Sequence, residues 1–414
     1  LFLVLDELLV RQRHRPEVTA AALGLLVAAQ VLISEEVAAS EVLVAVLALV
    51  VLAGLFPAQV APRAGRALRA LVGTAIVAGA LLAWPLSVQF FGPQRVNTAQ
   101  LQPVDTYVSD ALGFVVPTSV QQLAPRSWRS AVSDRFTGNG SEWTAYLGVP
   151  LLAALATVAV RQWRRPLVKV VTILTVTVAV LSLGPHLHVR GHVTGVPLPW
   201  DAVQSVPLVR EVLPNRLVLY VDLFAGLLFA LFLDTVVAAG GRRARVGGAL
   251  LASAVFVSLF PRLPYPSSTR PVPAFFTHQG RRLPAGSVAL VAPFVVPPFE
   301  VDAMLWQVQT GMRYRMPGGY FIGPDRSGRP VFGPLPTTTA AVLTQIQRGG
   351  GPVEVSDGLR RTVLADLAHW RVTTVIVGPM PNADATVRFF ERVLGRAPSE
   401  EGQVSWWPDV SRAS

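Results

Sequence analysis

The stretch "AQVLISEEVAASEVLVAV" (Ala29–Val46) joins two apolar runs through a short segment that carries Glu35, Glu36 and Glu41. Three carboxylates between apolar runs predict a turn at the ends of two helices. Glu41 fits the first turn of the second helix, where the helix dipole favours an anion. Glu35 and Glu36 either solvate the turn or act as supporting acids, because adjacent carboxylates can hold a divalent cation or position an acceptor. Their spacing leaves both interpretations open.

The composition of the whole chain indicates a membrane protein. Of its 414 residues, 51% are hydrophobic and only 15% are charged, whereas soluble domains carry about a quarter charged residues. The net charge is +11, but the arginines form short clusters between apolar runs, as in cytoplasmic loops, and this distribution excludes a nucleic-acid partner. The chain has no cysteine, which excludes disulfides and thiolate metal sites.

Apolar runs near the roughly 20 residues that cross a bilayer predict about seven whole transmembrane helices and a partial one at 1–8. Because the chain opens on Leu1 inside an apolar run, we expect it to lack its true N-terminus. The seven whole runs lie at 18–33, 42–58, 68–91, 144–160, 167–184, 215–238 and 246–261.

Arginine clusters fall on alternate loops between these runs. By the positive-inside rule those loops are cytoplasmic. The remaining segments (34–41, 92–143, 185–213 and everything after about 262) are then predicted to lie outside the plasma membrane. The clusters are Arg11, Arg13 and Arg15; Arg63, Arg66 and Arg69; Arg161, Arg164 and Arg165; and Arg242, Arg243 and Arg245.

The C-terminal part changes character, and we divide the chain into a transmembrane domain at 1–262 and an extracytoplasmic α/β domain at 263–414. "SVALVAP" (Ser287–Pro293) and "TTVIVGP" (Thr373–Pro379) are typical of buried strands, and "GQVSWWPDV" (402–410) predicts an edge strand. Helical spacing occurs between and after the strands. The predicted helices lie at 300–310, 337–348, 359–370 and 383–394.

The third outer loop supplies most of the candidate site residues. His186 and His188 alternate with apolar residues, and together with His192 they form either a surface hairpin or a zinc site on a strand; the sequence fixes no acidic partner. The loop ends at the membrane entry of the sixth whole run. Arginine there either binds phosphate with its planar fork or extends to the headgroups. The candidates at this entry are Arg210, Glu211 and Arg216.

Asp222 follows Arg216 on a similar helix face, as its ion-pair partner or as a second polar site, because ionisable groups inside a span tend to be functional. In the C-terminal domain, "RYRMPGGYFIGPD" (313–325) places Arg313, Arg315 and Tyr320 in a candidate binding loop that can equally be a structural turn. No nucleotide-binding fingerprint or catalytic triad signature is visible. We therefore assign no metal and no certain cofactor, and leave a divalent cation as an option.

Several segments of the chain resemble bacterial multi-pass glycosyltransferases of the C-type (GT-C) superfamily, specifically actinobacterial-type members. They are "LDELLVRQRHRP", "ISEE", "LSLGPHLHV", "TGVPLPW" and "GMRYRMPGGYF". The resemblance implies transfer of a sugar from a polyprenyl-phosphate donor to an envelope glycan or lipid acceptor, with a carboxylate as base. It also implies that the catalytic acid lies in an earlier outer loop, upstream of this chain, so the catalytic base is not assigned here.

Two other classes remain open from the sequence. A non-enzymatic relative that binds or scaffolds envelope lipids would share the same architecture. A transporter of lipid-linked sugars is less favoured, because transporters place polar groups near the membrane midplane and these runs carry almost no central charge.

Overall fold

A computed structural model describes residue 4 and residues 7–97, 101–206, 209–238, 241–265, 267, 269–295, 300–349 and 351–410, apart from the side chains of Leu9, Val10 and Arg210. The chain forms two compact units. The first comprises Leu1–Val88 and Gln100–Pro266, and the second comprises Gln89–Ala99 and Ser267–Ser414. The second unit thus starts four residues after the predicted boundary and also takes in a segment from the predicted second outer loop.

The first unit is built from apolar helices, and a long helix lies at each of the seven predicted whole runs. The predicted stub at 1–8 falls mostly outside the described residues. The α-helices described in this unit are α1 (Pro16–Ile33), α2 (Glu35–Leu55), α3 (Pro57–Phe91, whose last three residues belong to the second unit), α4 (Arg126–Ala131), α5 (Gly148–Arg161), α6 (Pro166–Ser182), α7 (Trp200–Val203), α8 (Val218–Ala238) and α9 (Arg242–Leu259).

Among the described residues, four helices are long and apolar enough to cross a membrane: α1, α2, α3 and the segment Pro214–Ala238 that contains α8. The helices α5 and α6 are apolar but shorter, and α9 begins with Arg242, Arg243 and Arg245. The structure therefore indicates a membrane-helical protein with fewer clear spans than the seven predicted. Helices α5, α6, α8 and α9 pack around one core that includes Leu155, Val178 and Val221.

The predicted outer turn at 34–41 is wrong, because only Ser34 interrupts the helices there. Its hydroxyl oxygen accepts a hydrogen bond from the Val37 amide at 3.3 Å and caps α2. Glu35 and Glu36, rather than Glu41, therefore occupy the first turn, where the helix dipole favours their charge. The residues from 35 to 41 include no glycine or proline, so nothing in the local sequence keeps them out of the helix.

The predicted loop around Arg63, Arg66 and Arg69 is also helical. All three lie in α3, which starts at Pro57 and continues without interruption for 35 residues. A helix of this length extends roughly 50 Å, well beyond a hydrocarbon core of about 30 Å. Its arginine-bearing start can therefore lie outside the lipid while the predicted run at 68–91 crosses it.

The second unit has a mixed sheet with strand order β3-β6-β8-β7, formed by β3 (Val288–Ala292), β6 (Val372–Val377), β7 (Ser399–Glu401) and β8 (Val404–Trp407). The strands β3 and β6, both predicted, pair in parallel, and β8 pairs antiparallel with β6 and with β7. The prediction of an edge strand at 402–410 is wrong, because β8 lies between β6 and β7. The sequence prediction missed β7, the strand at this edge of the sheet, because it has only three residues.

Helices cover this sheet, and Phe389, Phe390 and Trp407 lie in its core. The four predicted helices are confirmed as α11 to α14. A hairpin of β4 (Ile322–Pro324) and β5 (Pro330–Phe332) forms a separate two-stranded sheet. The helices of this unit are α10 (Ala274–Thr277), α11 (Asp302–Gln309), α12 (Thr338–Gln347), α13 (Asp357–His369) and α14 (Ala383–Leu394).

Candidate functional site

Arg216 is the centre of an ion-pair network at one end of the first unit's helices. It lies in a 3₁₀ turn, Pro214–Leu217, that leads into α8. One guanidinium nitrogen contacts the carboxylate of Glu36. The other two nitrogens donate to Glu142, at 2.8 Å from Nη2 and 3.4 Å from Nε. Arg216 therefore joins the first turn of α2 to the loop that precedes α5.

Asn215 locks the backbone beside this network. It is 2% exposed, and its side-chain amide donates to the backbone oxygen and to the carboxylate of Glu142 at 3.0 and 3.2 Å. Its backbone N–H donates to the Tyr107 carbonyl, and the Leu213 N–H donates to Glu36 at 3.0 Å. Among the described atoms, Asn215 Oδ1 accepts no hydrogen bond. A buried carbonyl without a donor is costly, so this oxygen is one that a ligand hydroxyl or a water can satisfy.

The predicted histidine hairpin is confirmed as β1 (His186–Val189) paired antiparallel with β2 (His192–Pro197). Arg190 and Gly191, which connect the strands, both have positive φ, as a two-residue type I′ turn requires. The Gly191 N–H donates to Asp110 at 2.8 Å, and a Cβ on Gly191 would lie 1.9 Å from the Arg135 carbonyl oxygen. The tip of the hairpin is therefore packed tightly against the 101–143 loop.

Asp105 brings the two histidines of β1 together. Its oxygens lie 3.1 and 3.2 Å from His186 Nδ1 and 3.5 Å from His188 Nε2. Both rings face one carboxylate because residues two apart on a strand lie on the same side. His188 is 1% exposed, and its Nδ1 lies 3.5 Å from the Thr137 hydroxyl. An imidazole held by a carboxylate is an arrangement that can accept a proton from a substrate hydroxyl.

A small cavity of about 10 Å³, the size of a single water site, touches both groups of residues. Its wall includes Glu142 of the ion-pair network and Asp110, whose carboxylate holds the hairpin tip. Ser109 also contributes to the wall; its hydroxyl is buried and has no hydrogen-bond partner among the described atoms. The other lining residues are Val108, Gly113, Thr118, Phe136, Trp143, Thr144 and Ala145.

The remaining predicted residues of the first unit are exposed, or their side chains lie outside the described residues. Glu35 and Glu211 are exposed, and the side chain of Arg210 lies outside the described residues. Asp222 is exposed on α8. Of its two predicted roles, the pairing with Arg216 is wrong, because Glu36 and Glu142 are the carboxylates that contact that arginine, and the second polar site stays a prediction. Within the described ranges, no group of three histidine or acidic residues is arranged to hold a metal ion.

In the candidate binding loop of the second unit, the two arginines make structural contacts with the backbone. Arg313 Nε donates to the Leu283 carbonyl at 2.8 Å, and Arg315 Nε donates to the Gly286 carbonyl at 3.0 Å. The backbone of Arg315 also bonds to Ser287 and Ala289, so this segment continues the sheet beside β3. Tyr320 remains exposed, and its ring lies 6.1 Å from that of Phe332.

Sequence reasoning missed Asp105, Glu142 and Asn215 as site residues. Glu142 lies 74 residues from Arg216, and Asp105 lies 81 residues from His186. A polar residue in a loop of about 50 residues has no periodic pattern that predicts which distant segment it contacts. The length of that loop was the available signal, since loops so long are usually functional.

No protein-family model, curated protein or solved structure matches this chain. The likeness to bacterial glycosyltransferases therefore stays a prediction.

Proposed function

We propose that this protein is a multi-pass glycosyltransferase of the plasma membrane, similar to the GT-C superfamily. It would transfer a sugar from a polyprenyl-phosphate donor to a glycan or lipid acceptor of the cell envelope. One observation carries the proposal: polar side chains from four distant segments meet at the ends of apolar helices. A lipid-linked sugar places its phosphate and sugar at the boundary between lipid and water, so a site for it must lie at helix ends.

In this proposal Arg216 binds the donor phosphate. Its guanidinium is half-exposed and lies in the turn that enters a candidate span. The planar fork of arginine matches two phosphate oxygens. The carboxylates of Glu36 and Glu142 hold it in place without substrate, and donor binding would replace at least one of those contacts.

Asp105 and His186 would act as the base for the acceptor. The carboxylate–imidazole pair takes the proton of an acceptor hydroxyl while the hydroxyl oxygen attacks the anomeric carbon of the sugar. The bond between that carbon and the phosphate oxygen breaks, and polyprenyl phosphate leaves with the electron pair. This role is assigned from the geometry alone, because the sequence resemblance places the catalytic acid elsewhere.

The proposal also includes the membrane topology that the sequence predicts. In this proposal the seven long helices all cross the membrane, and α5, α6 and α9 pack with α8 around their shared core. The site and the second unit lie on the outer face, opposite the arginine clusters. Three single-cysteine variants test this topology directly: a thiol reagent that cannot cross the membrane should label Asp201→Cys and Arg361→Cys, but not Arg164→Cys, in intact cells.

A transfer assay on the full chain in nanodiscs tests the activity. Supplied with radiolabelled polyprenyl-phosphate sugars and an extract of envelope acceptors, it should produce a labelled acceptor. Asp105→Asn should lower the rate by about 100-fold or more, in the range for loss of a general base, without weakening donor binding. Arg216→Gln should weaken donor binding by about tenfold. The matched control is Asp201→Asn, which removes an exposed carboxylate of α7 bonded to Gln204, and should retain full activity.

A lipid-binding scaffold is the second candidate, and one observation favours it: the charge of Arg216 is already balanced by two carboxylates. The same assay separates the two functions. If donor binding depends on Arg216 but no sugar is transferred to any acceptor, the protein is a lipid-binding scaffold and not a transferase. Absence of both binding and transfer would reject both.

A further inference from the structure

The hairpin β4–β5 in the second unit carries an exposed apolar surface that the proposed transfer reaction does not use. Ile322 and Phe332 are directly paired across the two strands, and they are 54% and 38% exposed. The ring of Tyr320 extends the same face toward Phe332. We call Tyr320, Ile322 and Phe332 the apolar hairpin surface. Contiguous apolar groups of this kind mark a contact site in a soluble part of a protein.

The turn of the hairpin is basic. Arg326 and Arg329 are both exposed there, and Arg329 bonds to Asp325 at 3.1 Å. Aromatic and aliphatic side chains next to arginines are the composition that binds at the surface of an anionic bilayer, where rings enter the headgroup region and basic groups pair with lipid phosphates.

Hydrogen bonds fix this turn close to the end of a membrane span. The backbone N–H of Asn97 donates to the Gly328 carbonyl at 2.6 Å, and its side-chain amide donates to the Ser327 carbonyl at 3.4 Å. Asn97 comes only six residues after Phe91, the last residue of α3. Six extended residues reach about 20 Å at most, so the hairpin turn lies within that distance of the end of α3.

Aromatic side chains show where α3 leaves the lipid. Trp84 and Phe91 are 78% and 80% exposed near its C-terminal end, as expected for residues in the interfacial belt. The hairpin turn is held within about 20 Å of Phe91, which is close enough to reach the headgroups.

We propose that the apolar hairpin surface docks onto the lipid bilayer at the end of α3, with its rings in the headgroup region and its arginines on anionic phosphates. The occupant is the lipid surface itself rather than a second protein. The docking does not depend on sugar transfer, so its test reads lipid contact and not activity.

The absence of natural cysteine allows the test by single-site labelling of the full chain in nanodiscs. An environment-sensitive fluorophore on Ile322→Cys, and separately on Phe332→Cys, should show blue-shifted emission that lipids with a quencher near the headgroup suppress. The matched control is Arg361→Cys, on the exposed side of α13, which should show neither effect. Two positions are labelled separately, so that a local disturbance caused by the fluorophore at one of them does not decide the result.

Emission at both hairpin positions that equals the control would overturn the proposal. A blue shift that lipid-borne quenchers leave unchanged would also overturn it, because the fluorophore would then be covered by protein. Replacing neutral by anionic lipid should increase the docked fraction. Arg326→Glu should lower the docking equilibrium by about fivefold or more in anionic nanodiscs, as expected for one surface arginine, and should have no effect in neutral ones.

Discussion

The two units use the same apolar residue types in opposite ways. In α2, a helix of 21 residues rich in Val, Leu and Ala, only Ser40 and Val44 are buried. In β3, four of the five residues of "VALVA" are buried by the rest of the second unit. The apolar surface of α2 therefore needs lipid to cover it, whereas the second unit covers its own strands. Composition alone does not distinguish these cases; run length does, because about 20 residues are needed for a helical span and about five for a strand.

The largest expected difference between the units is in the free energy of unfolding that a large-to-small substitution costs in each. Phe390→Ala removes a ring that is fully buried against Phe389 and Trp407, and should destabilise the second unit by about 3–5 kcal/mol. Ile76→Ala, on an exposed part of α3, should cost less than about 1 kcal/mol. Denaturant unfolding in nanodiscs, followed by tryptophan fluorescence, measures both. Equal costs would show that the second unit lacks a core of its own.

A smaller effect tests whether the histidine hairpin is held by its tip. Gly191→Ala should destabilise the hairpin by about 2–3 kcal/mol, because the residue has φ +77° and its new Cβ would meet the Arg135 carbonyl. Gly195→Ala is the matched control, since Gly195 has φ +74° but no atom within 4 Å of the added carbon. Hydrogen exchange of the β1–β2 amides should be faster in the first variant than in the second. The same rate in both would mean that backbone strain, and not the packed tip, sets the cost.

The smallest effect concerns the turn of the β4–β5 hairpin. The hydroxyl of Ser327, with further bonds from the Ser327 and Arg329 amides, holds the pKa of Asp325 well below its usual range. A lowered folded-state pKa adds stability above the unfolded value, near 3.9, and this contribution is lost as the pH falls toward the folded-state pKa. Exchange of the Arg329 amide should therefore increase in strong acid relative to its intrinsic rate. In Asp325→Asn that increase should be absent, and an equal increase there would assign it to other carboxylates.

The elements of both units were largely predictable from the sequence, and the site was predictable only in part. Helix and strand periods are local, so all seven long helices, β3, β6 and the histidine hairpin follow from short windows. The start of α2 was misplaced because three acids suggested a turn, whereas Ser34 alone is sufficient as a cap. Arg216, His186 and His188 could be singled out by residue type. Their partners Glu142 and Asp105 could not, because pairing across 74 and 81 residues depends on tertiary packing.

The hydrogen bonds from Asn97 to residues 327 and 328 also bear on how the second unit can be produced alone. Gln89–Ala99 belongs to that unit although it precedes most of the helical unit in the chain. A fragment that starts at Ser267 would thus leave out part of its own structure. A faithful soluble version has to supply residues 89–99 as well, either fused through a flexible linker or added as a separate peptide, and complementation between the two pieces would report on the strength of that contact.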